Sequence, residues 1–448
     1  MHLVAPVHRD QVDRQRLDLA GVAQPAGVDA DTVPRGASLL LVFPVLLLGS
    51  GLALLALVRH QVLEWQTLTG AAIFAAGLLG AGLWVRWRWP RADPFLLPIA
   101  ATLAALGQLM TSRLEPSLGP RQGIWVLIGL AALLLVGLLP SVDWLRRYRY
   151  TWATLALLLQ ILTLVLGRDP NGSGAALWFV IGPVSVQPME LVKLLLVVFL
   201  AAYLDEYREL LGLAGRRIGR LQLPPLPYLA PILVMVGGAL LLFWLQKDLG
   251  PALLFSTVLL CMLYVASGRA SYVALGVALL VLGFVVADRA FAHVHVRMLI
   301  WLDPWSVRDT LGYQLVQALY ALASGGVLGT GLDMGSPRYI PAVHTDFVIA
   351  AIGEELGLAG TLAVVNLFVL LVLRGFVVAL RTRSGFLMLL AIGLTSVLAL
   401  QALIILGGSL ELIPLTGITL PFVSYGGSSV VANFLIVGLL LRISHEEA

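Results

Sequence analysis

Apolar residues in this chain fall into long blocks separated by shorter polar segments. The blocks lie near 38–58, 65–85, 95–111, 123–140, 150–167, 187–204, 227–245, 249–267, 271–288, 346–373, 385–407 and 427–441. Each is about long enough to cross a hydrocarbon core of ~30 Å as a helix. The pattern predicts an all-α polytopic membrane protein of about twelve transmembrane helices. A further segment, YQLVQALYALASGG at 313–326, reads as an amphipathic helix with Leu315, Leu319 and Leu322 on one side and a Gly-Gly stop. It is expected to lie along the membrane interface.

Composition fixes the same class. Only 12% of the 448 residues are charged and 59% are hydrophobic, against roughly 25% charged in soluble domains. The single Cys261 has no partner for an intramolecular disulfide. Residues 1–37 form a polar leader without the apolar core or cleavage site of a signal peptide, and are expected to be a disordered cytoplasmic tail.

Charge sets the expected orientation. With both termini in the cytoplasm, most of the 29 basic residues face inward, including Arg86, Arg88, Arg91, Arg146, Arg147, Arg149, Arg216, Arg217, Arg220, Arg374, Arg381 and Arg383. The net charge of +4 then needs no nucleic acid, and clusters such as RWRWPR (86–91) read as topology anchors. In this orientation the unusual sequence gathers outside, at 168–186, 246–250, 289–345 and 408–426. The third of these, about 57 residues, is too long for a simple connection and is expected to carry function or structure.

Asp346, in PAVHTDFVIAAIGEELG (341–357), stands at the mouth of an apolar block. A charge within the bilayer costs roughly 2.5–3.5 kcal/mol at its centre, so it persists for chemistry, ion binding or pairing. Asp346, preceded by His344 and Thr345, can equally be the cap of the helix that follows. Capping lowers a carboxyl pKa and burial raises it. Glu190 and Lys193 fall three residues apart on one helix face, either as a mutually neutralising pair or as a source of positive charge for a ligand. Gln246, Lys247 and Asp248 fill a tight hairpin, where they either line a site or satisfy free helix-end donors. Arg297 and Arg338 are rival cations in the long polar stretch. Of Glu354 and Glu355, at least one must face inward. Ser424, Tyr425, Gly426, Gly427 and Ser428 lie in YGGSS and its approach, a Gly-rich helix entry whose amides can receive an anion but which lacks the surroundings of a nucleotide loop. No His and Cys spacing suggests a zinc site.

Six segments occur in an order that resembles one family: GPVSVQPMELVK (182–193), QKDLGPALLF (246–255), RMLIWLDPW (297–305), GYQLVQALYALASGGVLGTGL (312–332), HTDFVIAAIGEELG (344–357) and PLTGITLPFVSYGGSS (414–429). Together they resemble the SEDS family of bacterial cell-wall glycosyltransferases over about 95–445. The resemblance implies a core of about ten helices, leaving 38–90 as an additional N-terminal pair. It also implies a peptidoglycan glycosyltransferase of the cytoplasmic membrane that polymerises lipid II on the outer face. The growing, undecaprenyl-pyrophosphate-linked glycan would be the donor, and a class B penicillin-binding protein the transpeptidase partner. Asp346 matches the family's catalytic aspartate, Trp178 a tryptophan near the substrate cavity, and Lys193 and Lys247 lie in family motifs. A divalent cation, Mg or Mn, could bridge Asp346 and pyrophosphate, though no residue pattern requires it. Gly174, Ala175, Ala176 and Leu177 depart from the family pattern, as do Met189, Ala342, Ile405 and Glu411. A transporter or flippase of the lipid-linked precursor, or a non-catalytic scaffold, remains the alternative; the lack of an internal repeat and the crowding of unusual residues at one face weigh against transport.

Overall fold

The computed structural model describes residues 37–59, 65–169, 175–182, 184–212, 217–218, 221–222 and 226–447. The expected N-terminal tail, apart from its last residue, and Gly174 lie outside these. Every predicted apolar block forms a helix: α1 Val42–Val58, α2 Trp65–Arg88, α3 Leu96–Leu114, α4 Gly119–Leu135, α5 Arg149–Leu166, α6 Met189–Glu206, α7 Leu226–Leu245, α8 Leu249–Ser267 and α9 Ala270–Ala290. After two helices in the long polar stretch, α10 Ala292–Leu302 and α11 Tyr313–Ser324, come α12 Val348–Arg381, α13 Gly385–Ser409 and α14 Gly427–Glu446. Among the described residues nine helices are long and apolar enough to cross a membrane. Helices α3, α6 and α7 are not among them; α6 carries Glu190, Lys193, Asp205 and Glu206.

Burial separates centre from periphery. Val192 to Leu204 of α6 are all buried, and 78% of the residues in the most apolar stretch of α13 and of α14 are buried, against 11% in that of α9. Thus α6, α13 and α14 form the middle of the bundle, and α9 turns its apolar surface outward, as a helix does when its solvent is lipid. The N-terminal pair packs on this bundle, α1 against α3 and α2 against α4. Small residues permit the approach: a Cβ on Gly51 would lie 2.4 Å from Leu109, and one on Gly77 2.5 Å from Leu127.

Three features depart from the plain pattern. Segment 168–186 contains a hairpin, β1 Phe179–Ile181 with β2 Val184–Val186, extended by backbone pairing of Arg168 with Trp178. Helix α11 buries Leu315, Val316, Ala318 and Ala321 and packs on α12, so its apolar side meets protein. Helix α12 is broken at Gly357, whose φ of 69° and ψ of −168° are not helical. A break inside a membrane helix is tolerated where neighbours satisfy the freed backbone groups. Here the Gly-rich loop before Asp346 does so: Thr330 and Gly331 donate N–H bonds to the Glu354 and Glu355 carbonyls, and the N–H groups of Leu358 and Ala359 reach the Gly326 and Val327 carbonyls. A Cβ on Gly329 would lie 2.2 Å from the Glu355 carbonyl oxygen, so this approach requires glycine there.

Candidate functional site

The HTD turn is built by local bonds and held by two distant segments. Thr345 and Asp346 both direct their N–H groups at the Ala342 carbonyl, and the Thr345 hydroxyl donates to the same oxygen. The three carbonyls of the motif then each accept a bond from elsewhere. His344 accepts from the Tyr425 N–H at 2.9 Å, Thr345 from the Ser424 hydroxyl at 2.5 Å, and Asp346, at 3.3 Å, from the Ser409 hydroxyl, which it shares with the Ile405 carbonyl at 2.9 Å. Ser424 is fixed in turn by the Leu420 N–H at 3.0 Å. Phe422 and Val423 pass so close to α3 that a Cβ on Gly107 would meet their carbonyl oxygens at 2.4 and 2.7 Å.

The cap position of α12 is occupied by Phe347, which makes no side-chain cap. Protein surrounds the Asp346 carboxyl although solvent reaches part of it, and burial pushes its pKa up to about 6, against the opposing charge of Arg297. Arg297 of α10 also acts on Asp248, whose pKa burial raises to about 7 with a further push from Glu190. One guanidinium thus serves two carboxyls. One of its N–H groups goes to the Thr416 carbonyl at 3.1 Å, on the loop that precedes α14.

Behind this cluster lies a buried polar chain. Lys193 pairs with Glu190 at 2.5 Å and donates to Gln401 at 2.8 Å. Gln401 donates to the Thr419 carbonyl at 2.9 Å, and the Thr419 hydroxyl donates to Ser429 at 2.9 Å. The Gln187 N–H reaches the Ser428 hydroxyl at 2.9 Å, tying the start of α6 to that of α14. The YGGSS segment therefore spends its serines on fastening loops together. A Cβ on Gly427 would lie 2.2 Å from the Trp125 ring.

The remaining candidates divide. Gln246 is buried and donates to the Gln160 carbonyl at 2.8 Å, joining α7 to α5. Lys247 is exposed, with a left-handed φ of 59°. Arg338 is exposed and lies over the Tyr339 ring. Trp178 sits in the hairpin extension. Burial lowers the pKa of His344, with the charge of Glu115 opposing. Both Glu354 and Glu355 are buried. Glu355 pairs with Arg113 of α3 at 2.6 Å and accepts from the Asp333 N–H at 3.1 Å, so its contacts are with α3 and the Gly-rich loop. Gln401, Ser409, Thr419, Arg113 and Asp333 were not singled out from sequence; a polar Gln401 inside an apolar block was the available signal.

Comparison with known proteins places this arrangement in a family. The FtsW/RodA/SpoVE family model, described as "Cell cycle protein", matches residues 98–448. A Mycobacterium tuberculosis protein named peptidoglycan glycosyltransferase RodA is 39% identical over 422 residues, covering 91% of this chain and 89% of the relative. A probable peptidoglycan glycosyltransferase FtsW of Geobacter metallireducens is 34% identical, covering 72% and 84%. Among solved structures, a chain from a study of polymerization and crosslinking by a peptidoglycan synthase complex aligns with a TM-score of 0.66 at 32% identity, over 80% of this chain and 99% of that one. RodA of Thermus thermophilus aligns with a TM-score of 0.57 at 30% identity, over 80% and 98%. The chain belongs to the FtsW/RodA/SpoVE family, the SEDS family of the motifs above.

Proposed function

We propose that Asp346 is the general base with which this peptidoglycan glycosyltransferase polymerises lipid II on the outer face of the cytoplasmic membrane. The observation that carries the reading is a carboxyl of raised pKa on a turn whose three carbonyls are individually held, with Arg297 as its neighbouring cation. A base with a pKa of about 6 is largely ionised at neutral pH yet more basic than an ordinary carboxylate.

In the reaction, the 4-hydroxyl oxygen of the acceptor N-acetylglucosamine attacks the anomeric carbon of the N-acetylmuramic acid that ends the growing chain. Its proton passes to Asp346. The bond from the anomeric carbon to the pyrophosphate oxygen breaks, and undecaprenyl pyrophosphate leaves with the bonding electrons. Arg297 is the cation next to the base and counters the charge that grows on the leaving group. Lys193, already committed to Glu190 and Gln401, braces the loops around it. Among the described residues no three His, Cys, Asp or Glu side chains converge as a metal cage. A divalent cation, if bound, would be held on the protein side by Asp346 with its other ligands from substrate and water, and would supply positive charge for the departing pyrophosphate.

The placement of arginines supports cytoplasmic termini, which put Asp346 outside. A class B penicillin-binding protein is the partner that would cross-link the product; the likeness to a chain from a peptidoglycan synthase complex supports it. We assign 95–445 as the catalytic core and 38–90 as an accessory pair; the family match, beginning at residue 98, supports that division. The test is lipid II polymerisation by purified protein with its transpeptidase: the parent makes glycan and Asp346→Ala makes none. A silent parent that moves labelled lipid II across vesicles would transfer the reading to transport.

A further inference from the structure

The N-terminal helix pair lies before the family-matched region, yet one of its residues reaches the loop that ends at the catalytic turn. Arg59 closes α1. Its Nε donates to Asp333 Oδ2 at 2.8 Å and its Nη2 to Asp333 Oδ1 at 3.0 Å, a two-pronged grip on one carboxylate. The same Nη2 donates to the Arg113 carbonyl at 2.9 Å. Arg113 in turn contacts Asp333 at 2.6 Å and Glu355 at 2.6 Å. Four residues from α1, α3, the Gly-rich loop and α12 thus form one ion network whose far end, Glu355, is fully buried.

The network sits where the loop is most constrained. Asp333 has a left-handed φ of 66°, a conformation that a non-glycine residue holds only when its surroundings demand it. Its own N–H bonds Glu355 at 3.1 Å, and the Ser336 N–H bonds Glu354 at 2.7 Å. A few residues earlier, Thr330 and Gly331 complete the broken backbone of α12 at Gly357. The loop therefore governs both approaches to Asp346: the chain that leads into the turn, and the angle of the short helical piece that follows it.

We infer that Arg59 is a positioning residue for glycosyl transfer: through Asp333 it clamps the Gly-rich loop to the break in α12, so that the accessory helix pair sets the geometry of the HTD turn. The guanidinium contacts Asp333 and the Arg113 carbonyl. Its effect is to hold the base in place, which is felt in turnover more than in substrate affinity.

The inference rests on the proposed glycosyltransferase site, and its test reads the loop separately from the chemistry. Full-length parent, Arg59→Met, Arg59→Lys and the control Leu57→Ala, whose side chain is exposed on the same helix end, are placed in nanodiscs. Amide exchange is followed in peptides covering 326–336 and, in parallel, lipid II polymerisation is measured. In Arg59→Met, which removes the fork on Asp333, the loop amides should exchange roughly tenfold faster or more, the worth of at least one lost charged hydrogen bond. The kcat should fall by a similar factor at an unchanged KM. Arg59→Lys, which keeps the charge and loses the fork, should recover only part of either change, and Leu57→Ala should match the parent. Unaltered exchange in Arg59→Met overturns the clamp whatever the activity does. Faster exchange with full turnover overturns the positioning role. A parent that makes no glycan counts against the proposed function alone, because the exchange result stands without it.

Discussion

Tyr425 donates its backbone N–H to the His344 carbonyl at 2.9 Å, and the adjacent Ser424 hydroxyl reaches the Thr345 carbonyl 79 residues away in sequence. The segment before α14 thereby acts as a clasp on the turn that presents Asp346. Ser424→Ala removes one of its bonds while leaving the carboxylate in place. We expect a stability loss of about 1 kcal/mol and a fall in kcat of roughly tenfold, since misplacing a catalytic group by a fraction of an ångström is costly. A thermal melt and a turnover assay on the same preparation check both.

Activity should depend on pH through Asp346. On the proposed reading the base works as the carboxylate, and the Asp346 pKa is raised to about 6 by burial against the opposing charge of Arg297. Turnover should therefore fall as pH drops through about 6, whereas an ordinary carboxyl would hold activity to near 4. The effect on stability has the opposite sign. A native pKa above the unfolded one means that the folded state binds the proton more tightly, so the charged form weakens the fold above about pH 6 and ceases to do so as pH falls toward 4. Asp346→Asn should accordingly melt higher than the parent at pH 8, with the difference shrinking across that window.

Lys193 and Glu190 form a pair that is almost wholly buried, with side chains 3% and 6% exposed. Removing one partner leaves an uncompensated charge in the bundle, and Lys193→Met should cost about 3 kcal/mol or more. Combining it with Glu190→Gln should restore much of that loss. If the single variant instead folds as well as the parent and only loses affinity for lipid II, Lys193 is a substrate cation and the bracing role is wrong.

Glu411 departs from the family pattern at a position where the backbone is left-handed, with φ of 61°. Its carbonyl accepts the Trp301 indole N–H at 2.9 Å, and that bond needs no particular side chain. Glu411→Gly should relieve about 1 kcal/mol of backbone strain; the expected outcome is a higher melting temperature at unchanged activity.

Much of this molecule was legible in its pattern. Apolar length alone located the helices, because a membrane span must satisfy its own backbone and shows this as an uninterrupted block. Asp346 stood out because a charge beside such a block needs a reason. The break at Gly357 did not show: GEELGLAG reads as helix, and the groups that complete its backbone come from a loop some 30 residues upstream. The Arg59, Arg113, Asp333 and Glu355 network was invisible for the same reason, since its members come from four segments and each alone looks like a solvated loop charge or an interior acid. The hairpin at 179–186 was missed because its strands, three residues each, are too short to set up an alternating pattern.

The most direct test of the central claim is glycan synthesis from lipid II by the parent and by Asp346→Asn, with lipid II binding measured on both. Asparagine keeps the shape of the side chain and removes its capacity to accept a proton. The account predicts parent-like binding and a loss of polymerisation on the order of a hundredfold or more. An Asp346→Asn variant that polymerises at the parent rate would contradict it.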